Sequence, residues 1–236
     1  MSGSATLDFD DHVVLVTGAA GALGGAVVET FLDAGATVAG VDIAPLEEAV
    51  GEDGLPESVT YLQADLTDEA AVIESAQAVI NEHDSLDVLC NIAGTWRGGD
   101  PIHETDEQVF DMLFDINLRT MFLTSKHALP HLIEQEGTIV SVAARSALEG
   151  GAGDGIYRAS KAGVKLLTET IAEEQLGTVR ANAVMPSVLD TPMNREMMTP
   201  SDDWVEPSEI AAVIALLCTE ETAVTSGASI PVYGTA

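Results

Sequence analysis

Short runs of β-branched and aliphatic residues alternate along this chain with longer stretches whose apolar positions recur every three or four residues. The short runs fall at 12–17 (HVVLVT), 36–42 (ATVAGVD), 59–63, 86–91 (LDVLCN), 137–142 (GTIVSV), 179–184 and 228–232, and they predict strands. The longer stretches predict helices at 22–33, 67–82, about 156–174 and 209–218. One long helix is predicted to open at Thr105, where Thr105 and Gln108 have the spacing of a capping box. Within 67–82, Val72, Ile73, Ala76, Val79 and Ile80 fall on one face. No Pro-, Gly- or Ser-rich linker and no internal repeat interrupts the alternation. The pattern predicts one α/β domain over 1–236, with a single parallel sheet and helices on both faces. Ligands of such sheets bind at the carboxyl ends of the strands. The loops of interest are therefore 18–24, 42–45, 64–67, 91–104, 143–155 and 185–205.

The first of these loops carries TGAAGALGG (17–25) between a predicted strand and a predicted helix. Gly18, Gly21 and Gly24 allow a tight turn and a close backbone approach to a pyrophosphate seated on the helix N-terminus. The next strand ends on an acid, Asp42, 24 positions after Gly18. A carboxylate there accepts hydrogen bonds from ribose hydroxyls and repels a 2′-phosphate. No Arg or Lys occurs between 1 and 96 to offset it. The expected cofactor is NAD(H) rather than NADP(H).

Composition narrows the partners. Hydrophobic residues make up 46 %, enough to fill a core, so the chain is not a disordered polyanion. Asp and Glu number 39 against 9 Lys and Arg, a net charge of −30. Such a surface repels phosphate backbones and anionic lipid, which excludes nucleic acid and membranes as expected partners and leaves a small-molecule substrate. The acids are spread along the chain while lysines are scarce, a pattern that points to a halophilic protein whose self-repulsion is screened by concentrated salt. The opening MSGSATLDFDDH has no basic start and no apolar core, so a cytoplasmic protein is expected. Cys90 and Cys218 both lie in apolar segments and read as buried thiols. His127 and His131 are four apart with no third ligand in view, so no metal is expected.

Tyr157 and Lys161 stand four apart in YRASK on a predicted helix, which puts both on one face. An ammonium beside a phenol favours the phenolate and lowers the phenol from about 10 towards the range of a general acid and base. Lys161 is one of three lysines, with Lys126 and Lys165. Taken in order, TGAAGALG, Asp42, ADLT (64–67), NIAG (91–94), DINL with Asn117, YRASK and VMPSVLDTPM (184–193) resemble the motifs of the short-chain dehydrogenase/reductase family. The resemblance covers nearly the whole chain. It implies a single Rossmann-type, doubly wound parallel sheet of about seven strands, with an NAD-binding part over about 10–145 and a catalytic and substrate part over about 145–236. It further implies hydride transfer between nicotinamide and a small carbonyl, alcohol or quinonoid substrate, in a homodimer or homotetramer.

By that resemblance Tyr157 protonates the substrate, Lys161 holds the nicotinamide ribose and Asn117 keeps a water relay in place. The cofactor would be bound by Gly18, Gly21, Leu23, Gly24, Asp42, Asp65, Leu66, Asn91, Ala93, Gly94, Tyr157, Lys161, Pro186 and Thr191. Asp65 would meet the adenine and Thr191 the carboxamide. One departure stands out: the family's catalytic serine falls thirteen positions before the tyrosine, where this chain has Ala144. Ser141 and Ser146 flank that position out of register. The dihydropteridine reductases lack the same serine. GALG (21–24), AGTWRGG (93–99), ALEGGAG (147–153) and LDTPMNR (189–195) are similar to that branch, whereas Asn117 fits the wider family better.

Both tryptophans, Trp96 and Trp204, fall in loops expected on the ligand face, where flat rings either stack on a flat heterocycle or anchor their loops. Met193, Met197 and Met198 suit a pliable lid and suit ordinary packing equally. The expected activity is that of an NAD(H)-dependent short-chain oxidoreductase. A dihydropteridine reductase-like enzyme and an NAD(H)-binding sensor without turnover are the alternatives, the latter motivated by Ala144.

Overall fold

Val13–Thr17 (β1) is buried at every position, as a strand covered on both faces of a sheet must be. A computed structural model of the chain describes residues 7–51 and 54–234; the first half of the N-terminal segment read above for a leader lies outside the described residues. After β1 come α1 (Ala22–Asp33), β2 (Thr37–Asp42), a single turn α2 (Leu46–Ala49), β3 (Thr60–Gln63), α3 (Glu69–His83) and β4 (Val88–Asn91). The second half holds α4 (Glu107–Phe114), α5 (Thr120–Glu134), β5 (Thr138–Val142), α6 (Gly155–Glu174), β6 (Arg180–Pro186), α7 (Pro192–Met197), α8 (Pro207–Cys218) and β7 (Ser229–Val232). The seven strands form one all-parallel sheet in the order β3-β2-β1-β4-β5-β6-β7. Strand order reverses between β1 and β4, which opens a crevice at their carboxyl ends.

Side chains alternate across the strands and feed two cores. Val14 and Val16 join Val27, Val28 and Phe31 of α1 and Ile210 and Ile214 of α8 on one face. Val13 and Leu15 join Val79 of α3, Leu132 of α5 and Val164 of α6 on the other. Full burial of such side chains contributes about 1.5–3 kcal/mol each. Cys90 and Cys218 are buried free thiols in the first of these cores. Among the described residues no helix is long and apolar enough to cross a membrane.

Three local expectations are corrected. Helix α4 is capped by Asp106, whose carboxylate accepts from the Gln108 amide at 2.8 Å, while the Thr105 hydroxyl donates to the Pro101 carbonyl. An acid accepts an amide proton without having to surrender a donor of its own, so Asp106 takes the cap. The expected long helix is two helices joined by a π-helical turn, Asp115–Arg119. Ile73 is 47 % exposed, because α3 turns only Val72, Ser75, Ala76 and Val79 fully onto the sheet.

Candidate active site

The carboxyl ends of the strands surround one cleft of about 680 Å³. At its closed end, the β1–α1 turn is held by steric necessity. Gly18 has φ +66°, and a Cβ there would lie 2.8 Å from the Ala93 Cα. A Cβ on Gly24 would lie 2.0 Å from the Gly18 carbonyl oxygen. Thr17 joins the ends of β1 and β4: its hydroxyl accepts from the amides of Ile92 and Ala93 at 3.0 and 3.1 Å. Helix α1 starts at Gly21 with no side-chain cap and no acid in its first turn, so its amide end faces the cleft uncompensated. This is a cradle shaped for an anion such as a pyrophosphate. Beside it, Asp42 is aimed by two amides, Ala20 at 3.0 Å and Ala44 at 3.2 Å. The Asp65 carboxyl is held below its usual range by the hydroxyl and amide of Thr67. Ile43 is 66 % exposed, an apolar side chain left open at the cleft next to Asp42.

At the other end, α6 delivers Tyr157 and Lys161 from consecutive turns. Lys161 is buried, and its ammonium donates to the Val142 carbonyl at 2.8 Å. A Cβ on Gly94 would fall 2.9 Å from that ammonium and 3.0 Å from the Asn117 amide oxygen, so any larger residue would have to displace one of these two side chains. Burial brings the Lys161 ammonium down to about 8. Burial pushes the Tyr157 phenol up to about 12, and the Asp154 carboxylate pushes the same way. The expected lowering of the phenol by Lys161 is thus reversed in this structure: the ammonium is spent on a carbonyl, and desolvation with a nearby carboxylate dominates. A phenol open to a cleft can pass a proton to an oxygen, and an ammonium lies on the same helix face one turn on.

Of the residues singled out above, the cleft brings together Gly18, Gly21, Leu23, Gly24, Asp42, Asp65, Leu66, Ala93, Gly94, Trp96, Ala144, Tyr157, Lys161, Pro186, Thr191 and Met193. It leaves out Met197 and Met198, and also Asn91, Asn117 and Trp204. Asn91 is buried behind the wall, donating to Ser125 and Ser141 at 3.0 and 3.3 Å and accepting from Thr124 at 2.6 Å. Asn117 is buried in the π-helical turn, where its amide accepts from the Thr95 amide at 2.7 Å and donates to Ser160 at 3.0 Å. Its side chain ties the β4 loop to α6. Trp204 is half-buried outside the lining, with its carbonyl beside Gly234. Neither flanking serine reaches the place of Ala144: Ser141 is fully buried against Asn91, and Ser146 sits on a 3₁₀ turn outside the lining.

The lining also contains Ile43, Thr95, Ser187 and Asn194, which sequence reasoning did not select. The one signal for them was position, in the loops after β2, β4 and β6. Thr191 caps α7, accepting from the Asn194 amide at 3.2 Å, and so places Met193 at the rim.

A model of the short chain dehydrogenase family matches residues 12–202. The chain is similar to the 3-oxoacyl-(acyl-carrier-protein) reductase of Thermotoga maritima, 33 % identical over 95 % of this chain and 97 % of that one. It is also similar to meso-2,3-butanediol dehydrogenase of Serratia marcescens, 34 % identical over 96 % and 94 %. The ligand-free aldohexose dehydrogenase of Thermoplasma acidophilum superposes with a TM-score of 0.86 at 26 % identity, covering 98 % of this chain and 95 % of that one.

Proposed function

The chain belongs to the short-chain dehydrogenase/reductase family, and from that premise we propose that it is an NAD(H)-dependent oxidoreductase interconverting a small carbonyl compound and its alcohol. The observation that carries this reading is a single cleft with the glycine cradle at one end and the Tyr157–Lys161 pair at the other. Gly18, Gly21 and Gly24 with the open end of α1 would hold the pyrophosphate, Ile43, Asp65 and Leu66 the adenine, and Thr191 the carboxamide. NAD(H) is supported by Asp42, a positioned carboxylate that would face a 2′-phosphate with no basic residue between 1 and 96 to offset it. When bound, the nicotinamide supplies a hydride to the carbonyl carbon, or receives one from the alcohol carbon.

Tyr157 supplies the other half of the balance. In reduction its hydroxyl proton passes to the substrate oxygen; in oxidation the phenolate takes that proton back. Lys161, whose ammonium is anchored on the Val142 carbonyl, would meet the ribose. Ala144 favours a second reading within the same chemistry. A methyl lines the cleft where a hydroxyl would polarise a ketone, so a quinonoid ring, which needs less polarisation, is the natural alternative, as in a dihydropteridine reductase-like activity.

The test is turnover with NADH and with NADPH, in molar potassium chloride to screen the acidic surface, over neutral ketones and a quinonoid pterin. We expect NADH to be preferred at least about tenfold, and Asp42→Ala to narrow the gap without abolishing binding. Equal use of both cofactors by the parent enzyme would reject the NAD assignment. Tight NADH binding with no turnover of any substrate would favour a sensor.

A further inference from the structure

Arg158 follows Tyr157 in the chain and points away from it, into the segment that joins β5 to α6. Its Nε donates to the Asp154 carboxylate at 2.6 Å, and its Nη1 donates to the carbonyls of Glu149 at 3.2 Å and Ser146 at 3.5 Å. The guanidinium lies so close over Gly151 that a Cβ there would be 2.2 Å from its central carbon. One side chain thus gathers four points of the 146–154 segment onto the first turn of α6. That segment lies between two residues of the cleft lining, Ala144 before it and Tyr157 after it.

An ordinary i,i+4 ion pair on an open helix contributes little, because water screens it. Here both side chains are withdrawn from water, 22 % and 18 % exposed. Asp154 also lies one helical turn before Tyr157, and its carboxylate acts on the phenol. Other charged groups surround the pair. Lys161 lies on α6; Arg145 and Glu149 come from the segment after β5. Arg97 and Asp100, from the loop after β4, line a small recess with Asp154, to which the α4 side contributes only Thr105 and Val109. Asp115 and Arg119 of the π-helical turn pair with each other at 3.7 Å. Of these groups, Arg158 is the cation in direct contact with Asp154.

We infer that Arg158 is a positioning residue for Tyr157: it clamps the 146–154 segment against α6 and offsets the charge that Asp154 places beside the phenol. The inference rests on the reading of Tyr157 as acid and base. In the parent, Arg158 holds the loop and offsets part of the carboxylate's charge; losing it frees the loop and leaves the whole of that charge acting on Tyr157.

The experiment follows the pH dependence of alcohol oxidation at saturating NAD, together with ultraviolet difference titration of tyrosine ionisation. The chain has only 3 tyrosines, and a Tyr157→Phe control subtracts the other two. With Arg158→Met we expect the rising limb and the Tyr157 ionisation to move to higher pH by roughly half to one unit, and oxidation at neutral pH to fall about three- to tenfold. Asp154→Asn moves both the opposite way, and the double variant returns them towards the parent. Arg158→Lys keeps the charge and loses the fork, so the limb stays near that of the parent while KM rises. If Arg158→Met and Asp154→Asn both lower turnover without moving either curve, the clamp is merely structural and the inference is overturned. Should Arg158→Met not fold, Arg158→Gln, which keeps a hydrogen-bonding end without the charge, is read in the same way. Retention of the parent rate and limb by Tyr157→Phe would instead remove the acid–base reading and the inference with it, an outcome distinct from failure of the clamp alone.

Discussion

At the β1–α1 turn the cleft wall is backbone in contact with backbone: Gly18 against Ala93, and Gly24 against the Gly18 carbonyl. At the β5–α6 segment the wall is a loop held by side chains, by Arg158 from one side and by Lys161 on the Val142 carbonyl from the other. The first wall has no room for a Cβ at Gly18 or Gly24, and on the function proposed above it would bind the part of the ligand shared by every reaction of this kind. The second admits exchange of one side chain for another, and Ala144 is such an exchange. The difference teaches where such a cleft can change a side chain without disturbing its backbone.

Three substitutions sharpen or break that contrast. The largest effect is expected from Tyr157→Phe, which removes the proton carrier: kcat should fall about 10²–10⁴-fold while NADH affinity, read by protein fluorescence, stays near the parent value. Loss of binding in parallel would mean that Tyr157 belongs to the cradle rather than to the chemistry. Next comes Gly24→Ala. A Cβ 2.0 Å from the Gly18 oxygen forces the turn open at a cost of about 1–3 kcal/mol, so NADH affinity should drop roughly ten- to hundredfold. An unchanged dissociation constant would show that the cradle is softer than its contacts suggest. The smallest effect is expected from Ala144→Ser. A regained hydrogen bond of about 1 kcal/mol predicts a turnover gain of about fivefold on ketones and almost none on a quinonoid ring. If Ala144→Ser weakens NADH binding as much as Gly24→Ala does, the two walls do not differ in kind.

Much of the fold is legible because its signals are local. The β-branched runs that become β1 and β5 are buried at every position, and their polar residues, Thr17, Thr138 and Ser141, are few and small enough not to obscure the strand. The glycine turn and Asp42 are legible because backbone clearance and a strand-end carboxylate leave few residue choices. Side-chain destinations are less so. Asn91 and Asn117 sit in motifs that border the cleft, yet each turns inward to partners 33 to 50 and 22 to 43 positions away in sequence. Nothing in the neighbouring residues encodes those partners. Trp204 shows the same limit: a loop on the ligand side of a sheet has two faces, and sequence does not say which one a ring takes. The split of the long helix into α4 and α5 is invisible to periodicity, because one extra residue in a turn shifts the apolar phase without breaking it.

That extra residue bears on how the chain can evolve. An α-helix advances about 100° per residue, so the π-helical turn at Asp115–Arg119 has the geometry of a single inserted residue absorbed without unravelling the helix. Point substitutions leave such a bulge in place. Deleting one codon within it would restore a regular helix and rotate everything before it against everything after it by roughly a quarter turn. Asn117 could then no longer reach Thr95 and Ser160 together. In this segment length is under tighter constraint than identity, and a library of single-residue deletions would find here a gap in tolerance that a library of substitutions would pass over.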